Sequence, residues 1–102
     1  MKTVKNIEFT TKERDNHKPE ELDYKKLLEL AINTAPKSGF GPKEMKKRLK
    51  LLNRLESGNG EFKFEDAEMS DLAGLVKNQV FGLLDPGFDE YFEYIEKVNK
   101  GK

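Results

Sequence analysis

Catalysis and metal binding need side chains that donate, accept or coordinate at workable spacing, and this chain offers few of them. Its one histidine, His17, sits in the polar run TKERDNHKPEE beside Lys18 and Pro19. Acid–base work by a histidine requires a partner group that holds it rigidly, and these neighbours describe an exposed loop instead. The acids Glu61, Glu65, Asp66, Glu68 and Asp71 crowd the stretch EFKFEDAEMSD. A calcium loop alternates its oxygen ligands around a glycine and closes on a glutamate, a layout this run lacks. Acids around a helix N-terminus are explained by the positive end of the helix dipole. The glycines of GFGP are not followed by Lys-Ser/Thr, so they do not form a phosphate loop. Cysteine is absent, which removes disulfides and thiolate metal sites together. The residues therefore predict no catalytic group, no metal, no cofactor and no evident small-molecule substrate. A hydrolase would need an ordered pocket around His17 or around the 61–71 acids.

The informative feature is charge. The chain is formally neutral, yet residues 36–55 carry a net of +6 and residues 56–102 a net of −6. The basic excess is concentrated in GPKEMKKRLKLLNRLE. At about 100° per residue, Lys43, Lys46, Lys47, Lys50 and Arg54 share one sector of about 100°. Met45, Leu49, Leu51, Leu52 and Leu55 fall on the other side, with Arg48 at the core edge, where its stem can lie along apolar surface.

Five cations on one helix face can follow a phosphate backbone. Sequence-specific reading is disfavoured, because APKSGFG is too long for the short turn of a helix-turn-helix motif. Asn53 is the only amide near the basic face, and no aromatic lies there for base stacking. The five cations read best as a contact for an acidic protein surface, either another protein or the acidic C-terminal half of a second copy. The alternative is weak, non-specific nucleic-acid binding through the same residues. Two aromatics add to the candidates: Phe40, between two glycines, as a core plug or a partner anchor, and Tyr94, which lies off the apolar stripe of its helix.

The elements that must position these residues follow from periodicity. A strand is predicted over residues 3–10, with Ile7 and Phe9 on one face and Val4 out of phase. Residues 11–22 read as a mobile loop. Tyr24, Leu27, Leu28 and Ala31 mark a helix capped by Asp23 and ending near Thr34, before Pro36. Pro42 opens the basic helix, which closes on SGNG. A short strand with Phe62 and Phe64 on one face leads into a helix with Asp66 as N-cap and Met69, Leu72, Ala73, Val76 and Val80 buried. After LLDPG a last helix places Phe88, Tyr91, Phe92, Ile95 and Val98 on one side, with residues 99–102 as a frayed tail. The two strands are expected to pair, residues 4–9 against 62–65, beside four helices: an α+β fold, mostly helical.

A chain of 102 residues fits a single domain. Charged residues make up 37% of it and hydrophobic residues 35%, so the core is lean and leans on seven Phe and three Tyr. No run approaches the roughly 20 apolar residues of a membrane span, and the N-terminus lacks a signal-peptide core. A cytoplasmic location and no membrane partner are expected.

The segments LDYKKLLELA, GFGPKEMKKRLKLLNRLE and FKFEDAEMSDLAGLV also stand in a familiar order. In that order the chain resembles small accessory proteins encoded by tailed phages and prophages, over roughly residues 4–80. The resemblance implies a protein made in the cytoplasm of an infected cell, with a part in virion assembly. It assigns no functional residue.

Overall fold

The computed structural model describes residues 1–13, 18–82 and 84–101. Along the chain run β1 (Lys2–Lys5), β2 (Glu8–Thr10), β3 (Glu21–Asp23), α1 (Tyr24–Asn33), α2 (Pro42–Ser57), β4 (Glu61–Phe64), α3 (Asp66–Lys77) and α4 (Pro86–Lys100). The fold is α+β and mostly helical, as expected, but the strands form two antiparallel pairs, β1 with β4 and β2 with β3.

The predicted strand 3–10 is broken at Asn6. Its backbone N–H donates to Gly60 O at 2.9 Å, its Oδ1 accepts from Lys25 N at 3.0 Å, and Ile7 O accepts from Tyr24 N at 3.0 Å. Asp23 Oδ1 accepts from Lys26 N at 2.8 Å. The first three N–H groups of α1, which have no partner within the helix, are thus satisfied by the bend between β1 and β2 and by the predicted cap. This bend resets the strand phase. Val4, which did not fit the expected alternation, is fully buried opposite Phe62, whereas Ile7 is exposed.

β1 pairs with β4 from Lys2↔Phe64 to Lys5↔Glu61, close to the predicted partner segment. β2 instead pairs with residues 21–23, of which 21 and 22 were expected to be loop and Asp23 the helix cap. Thr11, buried, extends this pair at its end, donating its N–H to Glu20 O and accepting from Glu20 N at its Oγ1, both at 2.9 Å. Residues 14–17, at the centre of the expected loop, lie outside the described residues.

Helix α3 starts one residue earlier in its capping than predicted. Glu65, not Asp66, is the N-cap, and its N–H donates to Glu68 Oε1 at 2.7 Å, the backward-reaching bond of a capping box. The helix stops at Lys77 rather than carrying Val80 inward, and Val80 is 87% exposed. Gln79 takes the inward position. Its Nε2 donates to Leu27 O and its Oε1 accepts from the Tyr91 hydroxyl, both at 2.9 Å. A buried polar pair with all its bonds made costs little, whereas an unpaired one costs about 1–3 kcal/mol.

Phe62, Phe64, Leu28, Leu51, Leu55, Met69, Leu72, Tyr91 and Ile95 fill the core. Each such side chain stabilises by about 1.5–3 kcal/mol relative to leaving it in water. An aromatic group extends the core towards β2: Phe9 meets Tyr24 and Phe88 edge-on at 6.1 and 5.8 Å, and Phe81 stacks on Phe88 at 4.2 Å. Asp85 caps α4 through Gly87 N at 2.8 Å and accepts from Lys12 N at 2.7 Å, tying the end of β2 to this helix. α4 continues through Lys100, past the residue where fraying was expected, and Lys2 Nζ donates to Asn99 O. Among the described residues, no helix is long and apolar enough to cross a membrane.

Candidate functional site: the outer face of helix α2

The rotation of α2 is set by Arg48. Helix α1 has no basic residue in its last turn, and Ala35-Pro36 follows it where a glycine C-cap would usually stand. Thr34 serves Leu30 O through its N–H and hydroxyl, and the carbonyls beyond it need donors from elsewhere. Arg48 Nη1 donates to Ile32 O at 2.8 Å and Thr34 O at 2.9 Å, and its Nε donates to Glu44 Oε1 at 2.8 Å. The guanidinium also lies 5.0 Å from the Phe40 ring centroid. Arg48 is only 8% exposed, a correction to its expected place at the core edge. A buried cation is tolerable here because it is paired and hydrogen-bonded and meets the negative end of the α1 dipole. The bond from Arg48, followed by its charge, holds the Glu44 carboxyl below the usual carboxylate range.

This rotation buries Arg48, Leu51 and Leu55 and turns two predicted core residues outward. Met45 is 44% and Leu49 50% exposed, with Leu52 half-buried beside them. The apolar arc of α2 spans about 160° at 100° per residue, more than its neighbours cover. The leftover edge runs through Pro42, Met45, Leu49 and Leu52, the three-four-three spacing of a helix–helix seam.

The five predicted cations do not stay together. Arg54 pairs with Glu68 at 3.2 Å and Glu65 at 3.9 Å, and Lys47 pairs with Asp71 at 3.7 Å. The acidic stretch 61–71 is thereby used to cap α3 and to dock it against α2. Lys43, Lys46 and Lys50 remain exposed, with no ion pair within 4.0 Å among the described residues. They line one flank of the Met45–Leu49–Leu52 edge. On the other flank Glu44 and Arg48 neutralise each other.

The candidate aromatics are both half-buried. Phe40 covers the Arg48 guanidinium. Tyr94 packs on Tyr24 at 5.6 Å and accepts the N–H of Lys5 at 2.8 Å, which occupies a donor of β1. Both rings are held by the fold itself. His17 lies outside the described residues. Among the described residues, no three His, Cys, Asp or Glu side chains stand close enough to hold a metal ion. A cleft of about 480 Å³ between α3 and α4 has Ala73, Gly74, Phe92 and Ile95 on its apolar side, with Ser70, Lys77, Gln79, Asn99 and the Glu96–Lys100 pair also lining it.

Sequence reading missed the outward pair Met45 and Leu49. The signal was available in the width of the apolar arc and in the absence of a glycine or a basic residue at the C-terminal end of α1. No family model, curated protein or solved structure matches this chain.

Proposed function

We propose that this chain is a non-catalytic protein-interaction module and that the outer face of α2 is its docking surface. The observation that carries the reading is the placement of two large apolar side chains, Met45 and Leu49, half exposed on successive turns beside three exposed lysines that have no ion pair among the described residues. Large apolar side chains grouped on a surface mark contact sites more often than singly scattered ones do. Nucleic acid, the other use of the basic helix, is supported less. Two of the five cations are engaged by acids of the same chain, and an apolar edge adds nothing to phosphate contact. On the resemblance to small phage-encoded proteins, the proposal extends to an accessory or assembly role in the cytoplasm of an infected cell.

The test is a photo-crosslinking residue placed at position 49, with position 90 on the acidic outer face of α4 as control, in an extract of the cells that make the protein. The proposal expects a discrete protein adduct from position 49, weakened by Lys46→Glu/Lys50→Glu and resistant to nuclease. Equal labelling from both positions, or an adduct removed by nuclease, overturns it.

A further inference from the structure

Resting on that reading, we infer the chemistry of the partner: an acidic amphipathic α-helix laid along α2. The edge Pro42–Met45–Leu49–Leu52 repeats at three, four and three residues, the period at which two helices keep one seam in contact. α2 offers this edge from Pro42 to Leu52, about 15 Å of helix at about 1.5 Å per residue, and the next position of the spacing is the exposed Glu56. That length is about one and a half heptads, enough to seat a short apolar stripe of a second helix about 8–10 Å away.

Charge then chooses the occupant. Lys43, Lys46 and Lys50 are spaced so that all three line the same flank of the seam. A helix seated on the seam presents its own flanking residues to them, and acids at heptad-like spacing complement all three. The opposite flank is internally neutral, because Glu44 and Arg48 are paired. The apolar seam supplies the affinity, and the lysines supply the selection and the encounter rate.

A second copy fits less well. An antiparallel α2–α2 contact with two-fold symmetry sets the same flank of each helix together, which brings lysines against lysines, and a parallel one sets the lysines against the internally paired Glu44–Arg48 flank. The acidic helix of this chain, α4, exposes Asp89, Glu90, Glu93 and Glu96, but its large apolar residues Phe88, Tyr91, Phe92, Ile95 and Val98 are buried or half-buried against the core. It has the charge and lacks the free stripe. A partner helix needs both.

The probes are two designed helical peptides of about three heptads with the same leucine seam, one flanked by glutamates and the other by lysines. Binding is read by fluorescence anisotropy of labelled peptide at about physiological ionic strength. The glutamate peptide is expected to bind at least about tenfold tighter than the lysine peptide, a factor set by a few partly exposed charge pairs. Lys43→Glu/Lys46→Glu/Lys50→Glu inverts that preference. Leu49→Ser, at a half-exposed site where the urea midpoint falls only slightly, weakens the glutamate peptide by about tenfold.

Equal binding of the two peptides overturns the charge assignment. Glutamate-peptide binding that ignores Leu49→Ser overturns the seam. A concentration-dependent dimer by light scattering that Leu49→Ser abolishes makes a second copy the occupant and overturns the inference. If both peptides fail while position 49 still crosslinks to a protein, the helical partner is wrong and the docking face stands. If the crosslink is absent too, both fall.

Discussion

Replacing Arg48 by methionine tests how α2 is held on α1. Methionine keeps much of the stem packing and removes every donor. Ile32 is 1% exposed, so its carbonyl loses the 2.8 Å bond from Nη1 with no water to replace it, a loss of about 1–3 kcal/mol. Thr34 is exposed, and its carbonyl recovers a bond to solvent. Loss of the cation at the α1 C-terminus adds about 0.3–1 kcal/mol, and loss of the contact with Phe40 about 0.5–1 kcal/mol. The expected total is about 2–5 kcal/mol, against a domain stability of about 5–15 kcal/mol. Urea unfolding followed by far-ultraviolet circular dichroism reads this directly, as a lower midpoint at unchanged slope. Arg48→Lys should recover part of the loss, since an ammonium reaches fewer of these acceptors. Glu44→Gln should shift the midpoint much less, because Glu44 is partly in solvent. The reasoning is refuted if Arg48→Met costs under about 1 kcal/mol, or if Glu44→Gln matches it.

Three further outcomes are expected. A Cβ at Gly58 would collide with Glu61 O and the Phe62 ring, so Gly58→Ala should destabilise by about 1–3 kcal/mol in the same urea assay. Gly74, inside α3, has open space where a Cβ would go, and Gly74→Ala should stabilise by about 0.5–1 kcal/mol. Burial, with Tyr24 nearby, pushes the Tyr91 hydroxyl well above its ordinary value, and burial followed by Glu90 raises Tyr24. A raised folded pKa means stability that is complete below the unfolded value near pH 10 and lost as pH rises beyond it, by up to about 1.4 kcal/mol per pH unit for Tyr91, with Tyr24 acting in the same direction. Tyr91→Phe should flatten that alkaline slope, and an unchanged slope between pH 10 and 11 would contradict the assignment.

The local signals in the sequence were good guides wherever a few neighbouring residues decide the structure. Asp23 caps α1, Pro42 opens α2, and the SGNG turn closes it with Gly60 at φ +85°. Reading failed where the deciding partner is far along the chain. Asn6 breaks a strand because it serves the N-terminus of a helix eighteen residues later. Residues 21–23 become a strand only because the bend at Asn6 frees β2 from β4. Val80 follows the α3 stripe in sequence, yet Gln79 goes inward because Leu27 O and the Tyr91 hydroxyl wait for it. The basic sector of α2 was legible as a pattern. That Arg54 and Lys47 would be taken by Glu68 and Asp71 depends on how α3 lies against α2, which no local pattern encodes.

The direct measurement is a titration of labelled duplex and single-stranded DNA with the protein, followed by anisotropy at about 50 mM and about 150 mM salt. A protein-docking face with three free lysines predicts no saturable binding at either salt. Micromolar binding with a log–log salt slope of about two to three, lost in Lys43→Glu/Lys46→Glu/Lys50→Glu and unchanged by Leu49→Ser, would show that the face exists for phosphate and that its apolar edge is incidental.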